Sequence, residues 1–298
     1  IYKASINSTG GWYRLEVRGI YNGVTVAVST LDKVGIGEVF VICGQSNAEG
    51  KVGIGDSASD DRVSRISNLE SSTESLYPFP TFDRIERTSG IAPSGKSAWC
   101  WGRLGDLLAD RLGVPILFIN TAWEGYDIKQ WEVSANGGSG FNTFGQTFAP
   151  AGFPFNTIKN SIQQYAHMLG FRAVLFHQGE TDNQLNTTQL SYYNSMSIFI
   201  DKLRQDTQKD VSFVLSRVSR NINRSTYQPV IDAQNQVINQ ISNVFSGPFT
   251  DDITDRFDGL HFSTEGTRKV ADRWNTQLDA NFFGIDNSYT KNLTHLLN

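Results

Sequence analysis

The sequence predicts an α/β fold built on a mostly parallel sheet, and three observations carry that reading. Short apolar runs at 38–43, 114–119, 171–176 and 211–215 alternate with helix-periodic segments near 97–112, 155–169, 187–208 and 227–243, the signature of βα units. Each run is mainly apolar, with Glu38, Arg172 and Ser212 lying at or next to its first residue, as suits a strand buried on both faces. The first run, Val39-Phe40-Val41-Ile42-Cys43, closes on Gly44-Gln45-Ser46-Asn47. Such a turn delivers a hydroxyl to the carboxyl end of a buried strand, where open α/β sheets bind ligands. The chain of 298 residues, 39% hydrophobic and 19% charged, is long and apolar enough for a full core.

Along the chain, residues 1–36 differ from the rest. Gly11-Trp12-Tyr13-Arg14-Leu15-Glu16-Val17-Arg18 alternates with period two, and Val24-Thr25-Val26-Ala27-Val28 follows the turn Tyr21-Asn22-Gly23, which predicts a hairpin. A lone hairpin is marginal, so this one is expected to pack on something. It is read as an N-terminal β extension before a main domain at 37–298. Within the latter, Leu104, Leu107, Leu108 and Leu112 form one helical core face, and Ile158, Ile162, Tyr165, Ala166 and Leu169 another. Between these helices the stretch from Asn136 to Pro154, rich in glycine, proline and aromatics, predicts a long loop, a feature usually tied to function. Near the end, Ser263 or Thr264 can cap a helix whose face is Val270, Trp274 and Leu278.

Composition narrows the function. A net charge of −4 gives no basic field to hold nucleic acid or an anionic membrane surface, and no apolar run approaches the roughly 18 residues that span a bilayer. Cys43 and Cys100 lack metal-type spacing and are too few for a disulfide framework; they are read as core thiols, with no metal site. A chain starting at Ile1 fits a mature secreted product or a trimmed chain alike, and its ends do not decide between them; a secreted or periplasmic location is expected over a cytoplasmic one. Oligomeric state leaves no signal in the sequence.

Three serine or phosphate signals compete. Ser46 has the buried strand before it. Gly55-Asp56-Ser57 lacks one and reads as a surface turn. Gly90-Ile91-Ala92-Pro93-Ser94-Gly95-Lys96-Ser97 satisfies the pattern of a phosphate-cradling loop, but mostly polar Asp83-Arg84-Ile85-Glu86-Arg87 precedes it. A nucleotide- or phosphate-binding protein using residues 90–97 is kept as an alternative. Among four histidines, only His261 has an acid at useful distance: Asp258 can fold back across Gly259 to the imidazole and fix its tautomer for a serine nucleophile. The plainer reading is that the pair stabilises a helix entrance. Oxyanion donors, each worth roughly 3 kcal/mol of barrier, could come from the amide of Ser46, from Gly125 in the turn after 116–120, and from Gln178 at the end of 171–176. The plain alternatives are a turn glycine and a satisfied buried glutamine.

The segments GEVFVICGQSNAEG, NTAWEGYDIKQW, FHQGETDN and DGLHFS, in this order over residues 37–265, resemble the successive sequence blocks of the SGNH hydrolase superfamily and, within it, the sialate O-acetylesterase-like carbohydrate esterases. The resemblance implies a three-layer α/β/α sandwich with a mostly parallel five-stranded sheet, no cofactor, and removal of acetyl groups from sugars. By position it implies Ser46 as nucleophile, Asp258 and His261 as its partners, and Ser46, Gly125 and Gln178 around the oxyanion. Glu124 stands where these esterases often have a second glycine. Gln45, Asn47, Trp123, Glu124 and Glu180 are candidates for substrate contact or for support of the catalytic groups. Trp123, Trp131, Phe141 and Phe144, in or beside the long loop, could stack on sugar faces or pack. A glycan-binding module without catalysis is the remaining alternative, and the sequence does not separate sialic acid from xylan or another acetylated glycan.

Overall fold

The computed structural model describes residues 3–68, 73–147, 151–284 and 291–296. Its strands are β1 (Lys3–Ser8), β2 (Gly11–Tyr21), β3 (Val24–Ile36), β4 (Glu38–Gly44), β5 (Val63–Ile66), β6 (Phe82–Arg84), β7 (Ile116–Asn120), β8 (Ala173–His177), β9 (Phe213–Arg217), β10 (Val244–Phe249) and β11 (Lys291–Leu296). Seven of them form one sheet in the order β10-β9-β8-β4-β7-β5-β6, parallel except for β6, which runs antiparallel to β5.

The expected sheet was five-stranded, so the architecture agrees and the strand count is corrected. Beside the four runs read as strands, three more gave no such signal: β5 reads Val-Ser-Arg-Ile, β6 is exposed at each residue, and β10 contains Gly247-Pro248. None presents the continuous apolar run that marks a central strand.

Alternation along β4 builds the layers. Val39, Val41 and Cys43 join one buried cluster, and Phe40 and Ile42 the other. On the first face pack helices that include Trp131, Ile158, Phe199 and Val230; on the second, helices that include Trp101, Leu104, Val270 and Trp274. Burial on both sides is what makes these strands parallel and apolar. In order, the helices are α1 (Ser46–Glu49), α2 (Trp101–Leu112), α3 (Ile128–Ala135), α4 (Phe155–Ser161), α5 (His167–Leu169), α6 (Glu180–Leu185), α7 (Gln189–Thr207), α8 (Gln228–Gln240), α9 (Thr264–Gln277) and α10 (Ala280–Phe283), with a π-helical turn at Ile162–Ala166 joining α4 to α5. Cys43 and Cys100 are free and buried, and burial pushes both thiols up in pKa.

The chain places β7 on one side of β4 and β8 on the other. The carboxyl end of β4 is therefore a topological switch point, where a crevice opens between diverging connections.

The N-terminal hairpin β2–β3 is longer than expected. Asn22 and Gly23 both have positive φ, 52° and 78°, which is the type I′ turn that matches strand twist. Its base lies against Pro115 at Gly35, while Val17, Ile20, Val26 and Leu31 are exposed. β1 pairs with β11 antiparallel in a separate two-stranded sheet. The long loop is broken by turns, and 148–150 of it lie outside the described residues. Among the described residues, no helix is long and apolar enough to cross a membrane.

Candidate active site

Ser46 starts the one-turn helix α1 directly beyond β4. The turn before it requires glycine: Gly44 has φ of 133°, and a Cβ there would lie 2.0 Å from the carbonyl oxygen of His177 on β8. This close approach, with Gln45 N donating to the same oxygen at 3.1 Å, fixes the direction in which Ser46 leaves the sheet.

The distant loop meets it there. Ser46 Oγ lies 2.9 Å from His261 Nε2, and His261 Nδ1 lies 2.6 Å from Asp258 Oδ2. Asp258 Oδ1 accepts the backbone N–H groups of Leu260 at 2.9 Å and His261 at 2.6 Å. Burial pushes the Asp258 carboxyl up, but the hydrogen bonds from the imidazole and the two backbone amides outweigh it and hold the carboxyl below its usual range. Ser263 caps α9 by accepting from Gly266 N at 3.2 Å, which seats the loop on a helix packed into the core.

Asn47 joins the two halves. Its Nδ2 donates to Leu260 O at 3.2 Å and to Glu180 Oε1 at 3.0 Å, and its Oδ1 accepts from Phe262 N at 3.3 Å. Glu180 is only 1% exposed, so it lies behind the nucleophile and is not the substrate contact it could have been from sequence. Burial alone would raise its pKa, but His177 Nε2 at 3.5 Å, through hydrogen bonding and charge, and Asn47 keep it low.

Gln178 is also placed differently from expectation. It is fully buried, and its Nε2 donates to Asp182 Oδ2, Tyr126 O and Gln45 Oε1. With both amide hydrogens directed into the protein, it supports the floor of the site and offers no open donor. Gln45 Oε1 also accepts from Gly179 N at 3.3 Å and Thr181 N at 3.2 Å, stitching the end of β8 to the nucleophile turn. Two main-chain donors remain: among the described residues, neither Ser46 N–H nor Gly125 N–H donates to a protein acceptor. The Gly125 turn is tied to the strand end by Trp123 N donating to Gly44 O at 3.0 Å, and φ of 78° at Gly125 needs glycine.

Glu124 sits in an ion cluster: Lys51 Nζ is 2.6 Å away and Lys96 Nζ 3.1 Å, with Lys96 also 3.2 Å from Glu49. Burial raises the Glu49 carboxyl to about 7 against the pull of Lys96. Lys96 is the lysine of the phosphate-loop string, and here it serves carboxylates. The N–H groups of Ser94, Gly95 and Lys96 donate to Asn120 O, Ile91 O and Glu49 O, which leaves that segment no cradle of amides. Gly55-Asp56-Ser57 is not the surface turn expected: Gly55 is buried and bridged to Trp99, and Asp56 pairs with Arg268. Trp123 packs partly buried against the core and donates from Nε1 to Thr157 Oγ1, while Trp131 is fully buried and offers no stacking surface. Two exposed rings flank the site: Phe144 beside Gly125, and Phe257 stacked on His261 with centroids 5.9 Å apart. Phe257 was missed because one aromatic in a polar turn has no periodic signal.

A serine, a histidine and an aspartate stand in hydrogen-bonded series beside two undonated main-chain amides, at the switch point of a three-layer α/β fold, which is the constellation that serine hydrolases use. A family model described as carbohydrate esterase, sialic acid-specific acetylesterase, matches residues 36–279; the chain belongs to that family. The fold is similar to that of a carbohydrate acetylesterase from Xanthomonas citri, with 17% identity, a TM-score of 0.62, and coverage of 93% of this chain and 62% of that one. A protein from Arabidopsis thaliana is also similar, with 18% identity, a TM-score of 0.53, and coverage of 82% and 98%. This chain thus spans less than two thirds of the Xanthomonas protein's length. No curated sequence matches it.

Proposed function

We propose that the protein is a serine O-acetylesterase acting on acetylated carbohydrates through an acetyl-enzyme. The observation that carries this reading is the unbroken series Ser46 Oγ, His261 Nε2, His261 Nδ1, Asp258 Oδ2, with separations of 2.9 and 2.6 Å. Family membership supports the acetylated-sugar substrate.

In the first half-reaction His261 Nε2 takes the Ser46 proton as Oγ attacks the acetyl carbonyl carbon. Negative charge gathers on the carbonyl oxygen and is held by the N–H groups of Ser46 and Gly125. Asp258 stabilises the imidazolium and keeps its ring in place. Collapse breaks the bond to the sugar oxygen, which leaves with the proton from His261. A water then repeats the sequence on the acetyl-serine, giving its proton to His261, and acetate departs as Ser46 regains a proton.

Mass spectrometry after treatment with an organophosphonate tests the assignment. One adduct on Ser46 is expected in the wild type and none in Ser46→Ala. An adduct on another serine, or none, overturns it. A glycan-binding module without catalysis has nothing to favour it, since binding alone gives no reason to align three ionisable groups at hydrogen-bond distance.

A further inference from the structure

Phe144 is 69% and Phe257 53% exposed. They come from segments more than a hundred residues apart and meet the site through different members of it. The Phe144 ring lies 3.4 Å from where a Cβ on Gly125 would stand, and the loop that carries it is fixed by Thr143 N donating to Gly125 O at 2.9 Å. Phe257 lies nearly parallel to the His261 imidazole, at 20°.

Chemistry distinguishes the two sides. The carbonyl oxygen of a bound ester must turn toward Gly125 N–H, and the departing sugar oxygen must lie near His261 Nε2 to receive its proton. The sugar that bears the acetyl group is therefore beside Phe257, while Phe144 stands across the reacting carbon, past the oxyanion side. Pyranose rings present C–H faces that pack on aromatic rings, and an open ring gains by covering such a face.

We propose, resting on the esterase reading above, that Phe257 stacks on the acetylated sugar itself and Phe144 on a neighbouring unit, so that the site takes acetylated oligosaccharides in preference to acetylated monosaccharides. The charge cluster at Glu124 agrees with a neutral glycan chain passing along this side, because Lys51 and Lys96 are held by carboxylates.

Steady-state kinetics on three acetyl esters separates the roles: an acetylated xylo-oligosaccharide, an acetylated methyl xyloside and glyceryl triacetate, which has no sugar ring. Phe144→Ala is expected to lower kcat/KM on the oligosaccharide about tenfold, through KM, relative to the monosaccharide. Phe257→Ala is expected to lower kcat/KM on both sugars about tenfold relative to glyceryl triacetate. Phe144→Trp and Phe257→Trp should restore the selectivity. Equal losses on all three esters for either alanine variant would make that ring a support for loop or imidazole and overturn its assignment. A wild type that is labelled on Ser46 and cleaves glyceryl triacetate, yet does not prefer the oligosaccharide, overturns the proposal and leaves the esterase reading intact. A wild type unlabelled on Ser46 and inactive on all three removes that reading too.

Discussion

Replacing Asp258 by asparagine separates the tautomer of His261 from the shape of the loop. Asp258 Oδ1 is held by two backbone N–H groups, at 2.9 and 2.6 Å, while Oδ2 faces His261 Nδ1 at 2.6 Å. In the asparagine variant the amide oxygen keeps the two backbone donors, because the amide nitrogen cannot accept them. That choice turns the NH2 group toward Nδ1. Nδ1 must then accept, the ring proton moves to Nε2, and an N–H points at Ser46 Oγ where a base is needed. A triad aspartate-to-asparagine change of this kind lowers kcat by roughly 10⁴, or about 5.5 kcal/mol of barrier. Because the loop bonds survive, unfolding free energy should fall by less than about 1 kcal/mol. Aspartate-to-alanine would remove those bonds as well and cost stability in addition to rate. The assay pairs kcat on an aryl acetate with urea denaturation. Asp258→Asn retaining more than a tenth of wild-type kcat would refute the reasoning, since Nε2 would still be a competent base.

Other expectations follow from buried polar groups. Asn47→Ala removes the links to Leu260, Phe262 and Glu180 and should lower kcat about 10- to 100-fold with little change in KM for an aryl acetate, a split expected when the imidazole loses its place; an unchanged kcat would show that the loop holds itself. Lys96→Met should leave magnesium-nucleotide affinity undetectable, as in the wild type, and should destabilise the fold more at pH 8 than at pH 6, because Glu49, held near 7 with Lys96 present, loses the cation that favours its ionised form and must keep a proton that the unfolded chain releases; nucleotide binding lost on this change, read by calorimetry, would revive the phosphate-loop reading. Asp182 is raised from 3.8 to about 7, first by burial and then by Asp127. Between those values the folded chain keeps a proton that the unfolded chain has released, so stability falls as pH rises through this window. Asp182→Asn should therefore gain on the wild type from pH 5 to pH 8 by at most roughly 3 kcal/mol, and a difference in denaturation midpoint that does not move with pH would contradict it.

What could be read from the chain was whatever depends on close spacing. The strand ahead of Ser46 is a continuous apolar run, Asp258 and His261 are three residues apart, and the helix cap at Ser263 is a local pattern. Each is fixed by a few neighbouring residues. The strands β5 and β6, the last two at one margin of the sheet, were not readable: β5 is four residues long with Ser64 and Arg65 between its two buried side chains, and β6 is an exposed edge where polar side chains suffice. The role of Lys96 was obscured by a string that fits a phosphate loop; its partners Glu49 and Glu124 lie 47 and 28 positions away and are joined to it only by the fold.

Gln178 shows the limit from the other side. By position it stands where a donor to the oxyanion is expected, and side-chain type alone could not tell a donor aimed outward from one turned inward. What decides is the supply of acceptors beneath it: Asp182, Tyr126 and Gln45. Tyr192 Oη and Gln234 Nε2 complete the layer by donating to Gln178. A buried polar layer of this kind is stable only when nearly every donor and acceptor is matched, and once matched it is rigid. Its rigidity is transmitted upward through Gln45 and Asn47, the residues on either side of Ser46. The nucleophile is thus held by its two chain neighbours, and the N–H groups of Ser46 and Gly125 stay open beside it, where the proposed mechanism develops charge and electrostatic preorganisation needs donors.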